Sequence, residues 1–412
     1  MARRRDRAAS PRRGRGKARG AARRGEGPSA GVPEGLPELS SLSDVPAFSE
    51  LAPSAAQREA FERSASEAVG AGRALPGELC LGCVVRLDRG FPAVVCEEGL
   101  FRAEYQARLG KAENGAAVGD WVAVRMPQGH DRPVLEEVLP RRSDIARWRG
   151  GARGERQTLA ANVDVVLVAQ ALSERSLSCA RIVRSAVVSL DCGADVAVVL
   201  TKADRCRDAA QLGADVARLR EVLGPDVPIV ATMAAAYGRE GGAEGEAALG
   251  AAARAAGAGW GLADLRALVG ERRVAIVLGE SGAGKSTLLN ALLGRDVLAT
   301  GAVRDADDMG RHTTVARRMV SLPGHGVIVD EPGLRSLPLV GHERGLAKLF
   351  PDIAGAALGC RFRDCTHTAE PGCAVLAELE RGAFPASRLD AYRAIAAEMR
   401  ESAEGLDPDV VI

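Results

Sequence analysis

The hydrophobic pattern changes period twice along the chain. From Leu79 to Leu139 the apolar residues come in short runs, CVVRL, AVVC, LFRAEY, DWVAVRM and PVLEEVL, broken by Gly, Asp and Asn turn signals. Such runs predict the strands of a small β-barrel. Beyond Arg141, longer Val/Ile/Leu runs (VDVVLVAQAL, DVAVVLTKAD, VPIVATM, RVAIVLGESG, GVIVDEPG) alternate with helix-length stretches. Strands buried on both faces and joined by helices predict a parallel α/β sheet. After Gly341 the pattern is mostly helical. Residues 29–75 are rich in Pro, Ser, Glu and Ala and predict a linker or loosely attached arm, with at most one helix near Phe48 to Ala68. Residues 234–258 form a low-complexity Ala/Gly/Glu stretch, expected to be an insertion or mobile loop. The expected organisation is a tail and linker over 1–75, a barrel over 76–140, an α/β domain over 141–340 and a helical lobe over 341–412.

Composition fits that division. A chain of 412 residues exceeds what one core usually organises. The 46% hydrophobic content with only 3% aromatic residues predicts cores of Val, Leu and Ala. The net charge of +1 hides an asymmetry: residues 1–28 carry eleven Arg or Lys against Asp6 and Glu26, which leaves −8 for the remainder. That Arg/Gly/Ala tail buries almost nothing, so disorder and attraction to polyphosphate are expected there. No run approaches the roughly 20 apolar residues of a membrane span and no apolar leader follows the early arginines, so the expected location is cytoplasmic, without a membrane partner. Nine cysteines, an odd number, do not suggest a disulfide framework.

The strongest chemical signal is GESGAGKST, Gly279 to Thr287, between the apolar run VAIVL and the helical stretch TLLNALLG. Gly279, Gly282 and Gly284 allow backbone N–H groups to converge on phosphate oxygens, and the helix N-terminus adds partial positive charge. Glu280, Ser281 and Ala283 complete the loop, Lys285 is suited to β- and γ-phosphate oxygens, and Ser286, followed by Thr287, offers a hydroxyl to Mg2+.

TKAD, Thr201 to Asp204, ends the run DVAVVL and so falls at the carboxyl edge of the sheet, where nucleotides bind. A carboxylate at Asp204 can accept from guanine N1–H and its exocyclic amine, which adenine cannot offer, and the Lys202 stem can lie along the base, with Ala203 between them. GTPases normally carry asparagine where Thr201 stands. Its amide ties the base-reading turn to the phosphate loop, and threonine is expected to do so with fewer hydrogen bonds.

DEPG, Asp330 to Gly333, ends the run GVIV, so Asp330 can reach Mg2+ through water and the Gly333 N–H can sense the γ-phosphate. Leu334 follows, where signalling GTPases carry a glutamine that orients the attacking water. Between the two phosphate motifs lies GRHTT, Gly310 to Thr314, a natural switch segment. Thr314 or Thr313 is placed to join Mg2+, and His312 to orient water or to protonate locally near neutral pH. TKAD precedes the phosphate loop by about eighty residues and no guanine-reading motif follows DEPG, which reverses the usual order and predicts a circularly permuted sheet.

Cys360, Cys365, His367 and Cys373 form C-x4-C-x-H-x5-C, the ligand number and softness for one closed, structural zinc site. Cys80-x2-Cys83 lies in a β run with no second pair nearby and reads as packing. Basic residues gather at Arg141, Arg142, Arg147, Arg149, Arg153 and Arg156, and at Arg361 and Arg363, and are candidates for phosphate contacts with folded RNA.

Together LPRRSDIAR, AANVD (Ala160 to Asp164), TKAD, GESGAGKST, GRHTT, DEPGLR and CRFRDCTHTAEPGCAV closely resemble the ribosome small-subunit-dependent GTPase A family, RsgA. The resemblance spans roughly residues 80–405. It implies an N-terminal OB-fold, a permuted GTPase domain and a C-terminal zinc domain. It also implies GTP hydrolysis stimulated by the small (30S) ribosomal subunit and its rRNA during late maturation, with His312 catalytic. The chain departs from the family at Thr201, at Glu331, in residues 234–258 and in its long basic N-terminus. The expected molecule is a monomer cycling between GTP and GDP. A GTP-sensing RNA-binding factor without turnover is the alternative, and a permuted ATPase is a third reading.

Overall fold

The computed structural model describes residues 38–404, apart from 40, 41, 43, 89–90, 107–114, 128–131, 150–154, 234–242, 295–316, 323, 331–338 and 340. Residues 38–412 form one compact unit. Its spine is a sheet in which two expected regions join edge to edge. β1 (Leu79–Asp88), β2 (Phe91–Cys96), β3 (Gly99–Arg102), β4 (Glu104–Tyr105), β5 (Trp121–Arg125) and β6 (Val134–Val138) follow the predicted short runs. β1 lies between β2 and β5, both antiparallel to it, and the inner face is filled by Val84, Val94, Val122, Val124 and Leu135. A hairpin of β7 (Asp144–Arg149) and β8 (Glu155–Ala161) leads into the α/β half.

There β9 (Val165–Ala171), β10 (Asp195–Thr201), β11 (Ile229–Ala231), β12 (Gly259–Trp260), β13 (Val274–Leu278) and β15 (Gly326–Asp330) pair in parallel in the order β12-β11-β10-β9-β13-β15. Their side chains are buried on both faces, as continuous apolar runs require. β14 (Arg317–Leu322) is antiparallel to β15 and pairs in turn with β1, so the hydrogen-bonded path runs unbroken into the first sheet. RRMVSL is too short and too polar to have read as a strand; the register with β15 selects it.

Helices cover the sheet: α2 (Cys179–Asp191), α3 (Ala209–Leu223), α4 (Ala243–Ala255), α5 (Gly261–Val269) and α6 (Lys285–Leu293). α4 corrects one expectation. The Ala-rich half of 234–258 is an ordered helix whose Ala253 is fully buried, because alanine is the strongest helix former and one small face suffices to pack on α3; residues 234–242 lie outside the described residues.

The stretch expected as a loose arm is also docked. α1 (Ala55–Gly70) starts in a capping box in which Ser54 and Gln57 bond reciprocally. Gln57 also donates to Pro140 O at 2.9 Å and to Asn162 Oδ1 at 2.8 Å. Asn162, buried in the left-handed region at φ 55°, accepts as well from Arg142 N and donates to Gly119 O. One amide thus knits α1, the first sheet and the α/β half. Leu42 and Leu51 are buried, and Asp44 pairs with Arg318 on β14 at 2.6 Å. Composition hid this because few apolar residues carry the contact and polar ones complete it.

α7 (Glu343–Leu349), α8 (Pro351–Ala357), α9 (Ala374–Glu380) and α10 (Ala386–Glu404) build the C-terminal lobe. α7 packs on α2, where Asp191 accepts from Gly345 N and meets His342 Nδ1, both at 3.0 Å. Burial alone would raise the Asp191 carboxyl, but the His342 and Gly345 hydrogen bonds and the His342 and Arg344 charges bring it below its ordinary value. Arg388 of α10, 6% exposed, donates to Val222 O on α3, to Leu349 O and to Asp352, and stacks on Phe350 with 4.8 Å to the ring centroid.

Candidate functional site

The site assembles at the carboxyl edge of the parallel strands. β13 ends at Leu278 and the chain turns through Gly279–Gly284 into α6. Gly279 passes so close to β9 that a Cβ would stand 2.5 Å from Ala169 O. Gly284 caps α6 at φ 81°, a conformation only glycine adopts without strain. Ala283 is buried while Glu280, Ser281 and Gly282 are exposed, so the loop is anchored at both ends and open at its crown. Lys285 Nζ donates to Gly279 O at 2.5 Å and Glu280 O at 2.8 Å. These carbonyls hold the Lys285 ammonium against the loop, beside the backbone N–H groups that suit an anion. Ser286 and Thr287 sit half-buried in the first turn of α6.

β10 brings Thr201 to the same edge. Its Oγ1 donates to Ala283 O at 2.7 Å, and the residue is 2% exposed. This hydroxyl ties the TKAD turn to the phosphate loop, the role expected of an asparagine there. Lys202 follows in the left-handed region at φ 57° and donates from Nζ to Gly282 O at 2.5 Å. Burial and the neighbouring Arg205 charge lower its ammonium below the ordinary lysine range. Ala203 is buried and Asp204 exposed, within a 3-10 turn over Ala203–Arg205. Thr232, just after β11, supports this turn: Ala203 N donates to Thr232 O at 3.2 Å and Thr232 N to Leu200 O at 2.8 Å. Sequence gave no reason to single out Thr232, since its contribution is backbone pairing.

Asp330 ends β15 beside the loop strand β13. Its carboxylate lies 3.7 Å from Arg318 on β14, and the same guanidinium bonds Asp44. This Asp44–Arg318–Asp330 chain is set by cross-strand register and had no local signal. Glu280 of the loop pairs with Arg181 on α2 at 2.6 Å, both exposed. His312, Thr313, Thr314, Glu331, Gly333 and Leu334 lie outside the described residues.

The Cys/His cluster closes as its spacing predicted. His367 Nδ1 lies 3.6 Å from Cys360 Sγ and 3.5 Å from Cys373 Sγ, and those sulfurs are 3.9 Å apart. With Cys365 the four ligand atoms fall within 4.8 Å of one another. Three sulfurs and one imidazole at this separation fit a metal ion. His367 holds the left-handed region at φ 62°, its carbonyl accepts from Arg393, and Tyr392 lies against its ring at 5.9 Å. Burial lowers the imidazole below its ordinary value, which keeps a ligating nitrogen unprotonated.

The basic residues divide. Arg141 is not free for phosphate: it forms a bidentate pair with the fully buried Asp120, both bonds at 2.7 Å, and donates to Thr158. Arg142 pairs with Asp164 at 2.9 Å. A run of charge does not reveal which members face inward. Arg361 and Arg363 are exposed beside Phe362 and Leu358, 41% and 90% exposed, on the metal-binding loop and its approach. Arg153 and the side chains of Arg147, Arg149 and Arg156 lie outside the described residues.

Comparison with known proteins adds to this geometry. A family model described as RsgA GTPase matches residues 138–236 and 247–340. The small ribosomal subunit biogenesis GTPase RsgA of Streptomyces avermitilis is 42% identical over 321 residues, covering 78% of this chain and 80% of that protein. Its namesake from Methanosarcina acetivorans is 34% identical, covering 75% of each. Among solved structures, YjeQ from Thermotoga maritima superposes with a TM-score of 0.56 at 23% identity, covering 78% of this chain and 99% of that one. YloQ, described as a circularly permuted GTPase, gives 0.54 at 20% identity over 79% and 96%.

Proposed function

The chain belongs to the RsgA GTPase family, and from that membership we propose that it hydrolyses GTP on the small ribosomal subunit as a late maturation step. The observation that carries the reading is the pair of bonds from the TKAD turn to the phosphate loop, Thr201 to Ala283 O and Lys202 to Gly282 O. They hold the turn that carries Asp204 against the 279–287 loop, which supports one site for base and phosphates. Asp204 would select the base, the 279–287 loop with Lys285 would hold the phosphates, and Ser286, Thr314 and Asp330 would hold Mg2+. Gly333 would sense the γ-phosphate and His312 would orient the attacking water.

In this reading residues 76–140 act as an OB-fold that grips rRNA, 141–340 as the permuted GTPase domain and 341–412 as a lobe held by one structural zinc on Cys360, Cys365, His367 and Cys373. The exposed Arg361, Phe362 and Arg363 supply cationic and stacking groups on the lobe surface. The protein works as a cytoplasmic monomer. No helix among the described residues is long and apolar enough to cross a membrane.

GTP turnover measured with and without purified small subunits tests this directly. Strong stimulation, abolished by His312→Ala with GTP binding retained, is the expected result. Turnover that ignores the subunit sinks the ribosomal assignment, and binding without turnover in the wild type favours the GTP-sensing alternative.

A further inference from the structure

Away from the nucleotide edge and the C-terminal lobe, three ligand-bearing side chains meet at one end of the first sheet. Cys80 on β1, Cys96 at the end of β2 and Glu98 in the tight turn to β3 bring two sulfurs and a carboxylate oxygen within 4.8 Å of one another. β1 and β2 run antiparallel with Cys83 opposite Val95, so one further step sets Gly82 against Cys96. Alternation then puts Cys80, Gly82 and Cys96 on one face, and Cys83 on the other, where it is packed in the core. Gly82 fills the position between the thiols without a side chain; a Cβ there would stand 2.5 Å from Val94 Cγ1.

This makes Cys80 and Cys96 diagonal neighbours. Such pairs hold their Cα atoms about 7–8 Å apart, at or beyond the roughly 7 Å limit a disulfide tolerates. Two thiolates on one tetrahedral zinc need only stand about 3.8 Å apart, given bonds of about 2.3 Å. We infer that Cys80, Cys96 and Glu98 form a second metal site, for a thiophilic divalent cation of the zinc class, with its fourth position open to water or another ligand. Two thiolates and a carboxylate are a donor set that such ions accept. Cys96 Sγ donates to Gly99 O at 3.6 Å, which fixes its sulfur at the start of the β2–β3 turn beside Glu98. Cys80 is half-buried and Glu98 exposed, so the cluster is open to solvent on the Glu98 side.

Metal-stripped full-length protein, kept reduced, is titrated with Zn2+, and in parallel with Co2+, whose sulfur charge-transfer band reports thiolate ligation. The Cys80→Ser/Cys96→Ser variant should bind one equivalent fewer than the wild type. Cys373→Ser should lose a different equivalent, so a failure of the C-terminal cluster to bind cannot be mistaken for a failure here. Glu98→Gln, at an exposed position that leaves folding intact, should keep the stoichiometry while weakening this site by about tenfold or more, at least what losing an outer-shell partner costs. Equal stoichiometry in the wild type and the double-serine variant overturns the site. So does an unchanged affinity in Glu98→Gln, or quantitative formation of a Cys80–Cys96 disulfide on removal of reductant.

Discussion

Around the phosphate loop the positioning forces come from the sheet, whereas the C-terminal lobe packs an apolar face onto the main core through Leu346, Phe350 and Leu389 and adds a few polar bolts. Gly279 is pressed against Ala169 O, Gly284 caps α6, and Thr201 and Lys202 pin the TKAD turn to loop carbonyls. Removing any one of these polar contacts leaves strands β9, β10 and β13 paired. The lobe has three short helices and the longer α10, a Cys/His cluster and Arg388 as the bolt to α3. Its Cys/His loop lacks a sheet to frame it, and the difference teaches where the chain is rigid by construction and where it depends on single groups.

The largest expected effect breaks the lobe. Cys373→Ser removes a buried ligand, and because metal-binding energy is folding energy in small domains, the lobe should melt well before the sheet. Calorimetry of the full chain should then resolve two transitions where the wild type gives one, and chelation of the wild type should reproduce the split. A single unsplit transition would mean that the lobe stands on its helices.

Arg388→Met should come next, at about 3 kcal/mol, since it strands the Val222 and Leu349 carbonyls and leaves Asp352 without its cation. Burial would raise Asp352, but hydrogen bonding from Arg388 and from the Ile353 N–H holds it below its ordinary value. A group depressed in this way stabilises the fold above the ordinary carboxylate range and loses that contribution as pH falls through its lowered value. The gap in denaturant midpoint between wild type and variant should therefore be widest at neutral pH and narrow in acid, without closing, because the carbonyl bonds to Val222 and Leu349 do not titrate.

The smallest effect sharpens the nucleotide side. Thr201→Val keeps shape and loses the 2.7 Å bond to Ala283 O, a cost of about 1 kcal/mol or roughly fivefold in GDP affinity, with little change in the melting temperature. An equal loss of stability and affinity would show that the tether supports the whole sheet edge and not the turn alone.

Much of this was legible from residue order. The runs at 165–171, 195–201, 274–278 and 326–330 became parallel strands because their apolar character demands burial on both faces, and the phosphate loop and TKAD fell at strand ends because turn residues follow those runs directly. The Cys/His spacing closed a cluster because its ligands lie within one short loop. What failed to read was non-local or polar. Residues 42–75 dock through Asp44, Gln57 and Asn162, whose partners are distant in the chain. Arg141 turned inward to Asp120, which no charge count reveals. Low-complexity Ala/Gly/Glu composition predicts a loop, whereas the helix propensity of its alanines gives α4.

By itself the sequence determined the candidates: which residues have the chemistry to meet phosphate, guanine or a metal, and that their order is permuted. Those properties belong to side-chain identity and short-range spacing, which need no partner. Only the tertiary structure decided that Thr201 bonds Ala283, that Arg318 spans Asp44 and Asp330, and that Cys80 meets Cys96 instead of Cys83. Strand register sets those pairings, and register emerges only when the whole sheet is buried at once.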